Sequence, residues 1–241
     1  MTVRFLLAAL AAGLLAGILM TPVQYRQVVP IILHAETFEG GHAHGAAAQD
    51  HAHEDGAAHD AAHERVASDV AANEEAPLLL GRFWNTFVAN LITGAGFALL
   101  MAGVSLVSGV SVRFSTGLAW GAAGWLAVQF LPGLGLPPEL PGFPYVDLQA
   151  RQVWWSATVV ASAAGMALLF LRPETLARVL GVALLVGPHF YGAPQPVDIA
   201  SNVPAYLAAE YVMAALSTTL FFWLALGLLL GFLMDRSEKA A

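Results

Sequence analysis

Residues 5–33 read FLLAALAAGLLAGILMTPVQYRQVVPIIL, and among these 29 residues Arg26 carries the only charge. Roughly 20 apolar residues suffice for a helix to cross about 30 Å of hydrocarbon. As one helix this run would extend about 43 Å, which predicts a bend at Pro22 or Pro30, where the hydrogen-bond ladder is interrupted. Lipid offers no partners to open backbone groups, so a chain built from such runs must be helical. Arg4 ahead of the run also fits the charged start of a signal peptide. The apolar character continues through VVPIIL without a cleavage site, so a retained first span is expected.

Working outward, hydrophobic residues make up 58% of the chain and charged residues 11%, against about 25% charged in soluble domains. Further spans are expected over 83–109, 114–131, 153–171 and 205–234. A short apolar stretch over 176–186 should cross thinly or re-enter. Two connections break regular helix: 132–151, with five prolines, and 187–204. The fold class is an all-α integral membrane protein with five to six transmembrane helices and a flexible, His-rich extracytoplasmic loop. Residues 1–34 form a long, Pro-interrupted first helix, 35–80 the loop, and 81–241 a helical bundle with two Pro-rich connections. Gly13, Gly17, Met20, Gln24, Gln27, Ile31 and His34 share one face of the first helix. Gly13 and Gly17, like Gly117 and Gly121, have the small-residue spacing that lets membrane helices touch. The same face offers a polar lane from His34 to Gln24.

Six crossings place Arg4, Arg113, Arg172, Arg178, Arg236 and Lys239 on one side of the membrane. Arg26, Arg65, Arg82 and Arg151 fall on the other, where acids outnumber them. The positive-inside bias makes the first side cytoplasmic. The 35–80 loop and both Pro-rich connections then face the periplasm of a bacterial inner membrane.

That loop contains GGHAHGAAAQDHAHEDGAAHDAAHE, from Gly40 to Glu64, with six of the eight histidines. His42 pairs with His44 and His51 with His53; His59 and His63 are four apart. Asp50, Glu54, Asp55, Asp60 and Glu64 are interspersed. Imidazole and carboxylate together suit cobalt, nickel and zinc, and the absence of cysteine from the chain excludes thiolate sites. No fixed zinc-finger spacing is present, so loose, exchangeable capture is expected. The segment buries too little apolar surface to order itself without a ligand, apart from a short helix over 57–72. A low-complexity spacer is the bland alternative, but it does not explain six imidazoles within 22 residues.

Outside the loop, His34 and Glu36 in HAETFE, and His189 in the irregular segment GPHFYGAPQP, are further candidate metal ligands. Glu210 is the carboxylate of the last span, on a face with Met213, Ala214 and Ser217, and an intramembrane carboxylate points to function. With Gln24, Asn85, Asn90 and Gln129 it would form a polar outer vestibule. The inner half offers no matching set, since LFFWLALGLLLGF and GMALLF lack polar side chains. A desolvated cation would there need groups from another subunit, an oligomer axis or exposed backbone. No P-loop, HExxH or GxSxG occurs, so the chain is not expected to be an enzyme. Ten basic against seventeen acidic residues, a net charge of −7, argue against nucleic acid and favour attraction of cations.

The strings AALAAGLLAGILMTPVQ, VVPIILHAETFE, GLPPELPG, RQVWWSATVVASAAGMAL and GPHFYGAPQP resemble the CbtA-type predicted cobalt transporter subunits of bacteria. The resemblance extends from the first span to the approach of the last. It implies divalent cobalt as substrate, with no permanently bound cofactor, and uptake in support of cobalamin synthesis. It also implies a partner, CbtB, a small single-span subunit with its own histidine motif. The family is described with fewer spans than six, which leaves the side of the C-terminus open. The expected function is a membrane subunit of a divalent metal uptake transporter that passes metal from the loop to the vestibule; self-association is a further expectation. The alternative is a non-transporting membrane metal-binding or assembly protein that buffers or delivers cobalt, nickel or zinc.

Overall fold

The computed structural model describes residues 2–39, 60–144 and 146–239, with backbone alone for residues 2, 39 and 60–80. All regular structure among them is helical: α1 (Thr2–Gln27), α2 (Val29–Glu39), α3 (Asp60–Ser108), α4 (Gly117–Trp125), α5 (Leu131–Gly135), α6 (Leu148–Leu171), α7 (Thr175–Tyr191) and α8 (Ala205–Lys239). Four helical segments, Val3–Gln27, Gly81–Ser108, Leu148–Leu171 and Ala205–Lys239, are long and apolar enough to cross a membrane.

The expected bend in the first run falls at the second proline. Pro22 stays inside α1, and the break comes at Val28, so that Pro30 occupies the first turn of α2, where no N–H is required. Both ends of the 35–80 segment are helical: α2 reaches Glu39, where an irregular start was expected, and α3 begins at Asp60, so that the short helix expected over 57–72 runs on into the second span. Residues 40–59 lie outside the described residues.

Two segments read as irregular are also partly helical. A 3₁₀ turn (Phe114–Thr116) leads into α4, and a π turn (Leu126–Phe130) joins α4 to α5, so the third helical rod runs on to Gly135. In the π turn the Leu131 N–H reaches back to the Leu126 carbonyl. Pro132 follows where the ladder changes step, a place that tolerates its missing donor. The short fifth stretch likewise extends to Tyr191, with Pro188 inside its last turn. It ends at Gly192, whose φ of 91° is open to glycine and strained for other residues. At 17 residues, α7 is about 25 Å long.

Close backbone contacts fasten these helices in pairs. A methyl group on Gly13 would collide with the Gly94 carbonyl, and one on Gly17 with the Asn90 carbonyl, which joins α1 to α3. Gly117 and Gly121 meet Gly227 and the Trp223 backbone, joining α4 to α8. Gly165 and Gly181 meet across α6 and α7. The small residues Ala9, Ala12 and Ala16 of α1, with Ala98 and Ala102 of α3, leave room for Trp223, Leu226 and Leu230 of α8. This core surrounds α8, which packs on both α1 and α4.

Candidate functional site

The pairings fix which residues share an end. Asp235 Oδ2 accepts a hydrogen bond from the Phe114 N–H at 3.0 Å, so Arg113, Arg236 and Lys239 lie together. Glycine contacts between antiparallel neighbours bring Arg4, Arg172 and Arg178 to that same end. The opposite end carries His34, Glu36, His189 and Glu210.

At this opposite end, α1 and α3 are joined by a polar knot. Asn90 Nδ2 donates to Thr21 Oγ1 at 3.1 Å and to Gln24 Oε1 at 2.9 Å. Thr21 Oγ1 donates in turn to the Gly17 carbonyl at 3.0 Å. Tyr25 packs edge-on against Phe83, 5.4 Å between centroids. Beyond these rings, Arg82 donates from Nη1 and Nη2 to both oxygens of Glu36, at 2.9 and 3.0 Å.

This geometry rearranges the expected vestibule. Gln24 and Asn90 bond each other, while Asn85 and Glu210 are exposed and Gln129 is half-buried on the π turn. Among the described residues none of these last three hydrogen-bonds to the knot. Phe97 lies beside Phe222 and Trp223 on the parallel helices α3 and α8, a register that sets Glu210 level with Asn85. Trp84 and Tyr206, both exposed, occupy that level, as aromatic residues do where hydrocarbon meets water. Glu210 is therefore exposed on the surface of α8, not a group in the bundle interior.

The remaining candidates are separate. His34 is exposed on α2, with its ring 5.6 Å from that of Phe38. Glu36 lies two residues on, about 200° around the helix, so HAETFE does not present both to one ion. Any metal at Glu36 would also have to displace Arg82. His189 belongs to the last turn of α7, not to an irregular segment; its ring stands edge-on to Trp154 at 6.0 Å, and its Nε2 is buried without a hydrogen-bond partner. His42, His44, His51, His53 and His59 lie outside the described residues, and His63 is placed on α3 by its backbone alone. Among the described residues no three histidine, aspartate or glutamate side chains converge to hold a metal ion.

A cavity of about 600 Å³ does open at this end, walled by Pro137, Pro138, Glu139, Pro194, Gln195 and Met213. Its carboxylate, Glu139, is paired with Arg151. Neither the cavity nor this ion pair was legible beforehand: PPELP and the following helix give no sign that they fold together.

A family model described as a probable cobalt transporter subunit, CbtA, matches residues 2–235. The chain belongs to the CbtA family. The match takes in every helix described above except the last turn of α8, so the membrane bundle and the histidine-bearing segment lie within one family unit. For this CbtA chain, no match is found among curated proteins or among solved structures.

Proposed function

We propose that this chain is the membrane subunit of a cobalt uptake system in the bacterial inner membrane, with residues 35–80 in the periplasm. The observation that carries the proposal is the concentration of His42, His44, His51, His53, His59 and His63 among acids, in a member of a family described by cobalt transport. Those imidazoles gather the metal and exchange it readily. His34, at the start of the segment, and Glu210 and His189, at the same end of the bundle, are the groups it would meet next. Six crossings, with α7 as the short one, put all these groups on the outer side. Nickel or zinc could occupy the same ligands, and no catalytic step is assigned.

One observation favours the alternative, a non-transporting protein that buffers or delivers the metal. The core beneath the Asn90 knot is filled by alanine, leucine, methionine and tryptophan, and a divalent cation stripped of water is not stabilised there. Uptake by this chain therefore calls for a second subunit, a role that the small single-span, histidine-bearing partner would fill, or for a second copy of the chain. Radiolabelled cobalt flux into proteoliposomes, with and without that partner, tests the proposal. Flux should appear with the partner, and removal of residues 40–59 should reduce it mainly at scarce cobalt. Glu210→Gln should lower it at every concentration. Cobalt binding without flux in either preparation would establish the alternative.

A further inference from the structure

We propose that the α6–α7 hairpin is a gate: it lifts as one body from the rod formed by α4, the π turn and α5, and opens a wetted cleft between them. Within the hairpin, backbone contact at Gly165 and Gly181 fastens the two helices. Its footing on the bundle is different. The hairpin rests chiefly on the π turn and α5, and among the described residues no glycine there brings backbone onto backbone. At Gly135 it is the Trp154 ring that touches the rod. Irregular segments, 136–144 and 192–204, join the hairpin to its neighbours at the outer end, where Ser201 Oγ donates to the Gly142 carbonyl at 2.9 Å. The inner turn, Arg172 to Glu174, is exposed. Such a unit can swing about its outer connections with its own seam intact.

The contact is also poorly satisfied. On the hairpin, Trp154 Nε1, Ser162 Oγ and His189 Nε2 are buried without a hydrogen-bond partner. Val159 and Met166 pack on the core to which Ala127 and Val128 of the π turn belong, and Ser162, three residues after one and four before the other, shares their face. In the rod, the Leu131 N–H is taken by the Leu126 carbonyl and Pro132 has no N–H. The Ala127 carbonyl therefore has no donor four or five residues on. Each such group is costly while the contact is closed and is hydrated when it opens. Thr218 and Trp223 carry unpartnered atoms too, but on α8, which glycine contacts with the rod hold in place. Space already flanks the junction, since the cavity of about 600 Å³ is walled by Gly135 and Leu136 of the rod's end, Val146 before α6 and Pro194 after α7. On the uptake reading proposed above, this cleft is the route for the cation, because backbone can serve an ion where it lines water.

The chain contains no cysteine, so introduced thiols report without background. With the full chain in nanodiscs, Ser162→Cys should react with a water-soluble methanethiosulfonate at least about tenfold faster than Thr218→Cys, equally buried on α8. That ratio is about 1.4 kcal/mol in opening free energy. Spin labels at exposed positions make a second test that disturbs no buried residue. Ser115→Cys with Glu174→Cys, on the rod and the hairpin, should give two distances. Val107→Cys with Glu238→Cys, at the same end on α3 and α8, should give one. Equal reactivity of the two thiols in folded protein, or a single narrow distance in the hairpin pair, would overturn the gate. Neither measurement uses cobalt, so the gate and the uptake reading fail separately.

Discussion

Asn90 bonds two residues of α1 at once, and the depth of that bond within an apolar helix pair gives it weight. Replacement by leucine removes both donated hydrogen bonds and leaves the Gln24 amide without its partner. Side-chain hydrogen bonds between membrane helices average about 0.6 kcal/mol and reach about 1.7 kcal/mol. Asn90→Leu should thus lower stability by about 1 kcal/mol, whereas Asn85→Leu, at an exposed position, should change it by less than about 0.5 kcal/mol. Reversible unfolding in mixed micelles distinguishes them, and equal losses would dismiss the knot as a stabilising element. The sequence placed Gln24 and Asn90 at one height and read them as lining an open vestibule. A buried amide announces that it needs a partner but not which one. The same limit applies to Glu36, read as a metal ligand, whose partner Arg82 lies on the far side of the histidine segment.

Between elements, glycine sets how closely two rods approach. Gly227 accommodates the Gly117 carbonyl, and no side chain could occupy that space without separating α4 from α8. Gly227→Val should therefore reduce the yield of folded protein, with a loss on the scale of overpacked cores, about 1–3 kcal/mol. Gly103→Ala, at a position with open space around it, should be neutral or mildly stabilising. Expression and melting temperature of the two variants check this; matched behaviour would show that the seam is plastic. Half of each seam was legible: Gly13 with Gly17, and Gly117 with Gly121, stand at the diagnostic spacing. Their partner Gly94 has no glycine four residues away, so nothing in its own segment marks it, while Gly227 stands four residues before Gly231, a spacing the reading of the last span passed over. The π turn was equally silent, because a change of hydrogen-bond step leaves the apolar pattern intact, and Pro132 and Pro188 argued against helix at positions that are helical in the structure.

At the scale of the whole molecule, charge separates the two ends. Six basic residues gather at one end, and among the described residues His34, His189 and the paired acids Glu36 and Glu139 gather at the other. That polarity was readable from loop composition because it arises from counting charges rather than from packing. The family resemblance was also readable, since it rests on strings spread along most of the chain. The histidine segment predicts a dependence on acidity. Metal binds neutral imidazole, and an ordinary imidazole pKa of about 6.5 means protons compete increasingly from about pH 7 to 5.5. The neutral fraction falls about eightfold over that interval for each imidazole that binds. Calorimetry of cobalt on the full chain in nanodiscs should show at least that loss. A chain lacking residues 40–59 should show little binding at either pH. Affinity that ignores pH would assign the metal to carboxylates instead.

The central place of α8 has a consequence for biosynthesis. Translation delivers this helix after every partner it touches. Until it leaves the ribosome, α4 has no surface to receive Gly117 and Gly121, and the alanine faces of α1 and α3 have no tryptophan to enclose. The α1–α3 and α6–α7 pairs can zip as soon as their second members are inserted, because each seam lies within its own pair. Nascent chains should thus hold two preassembled hairpins waiting in the bilayer, and the arrival of α8 closes them into one bundle in a single late step.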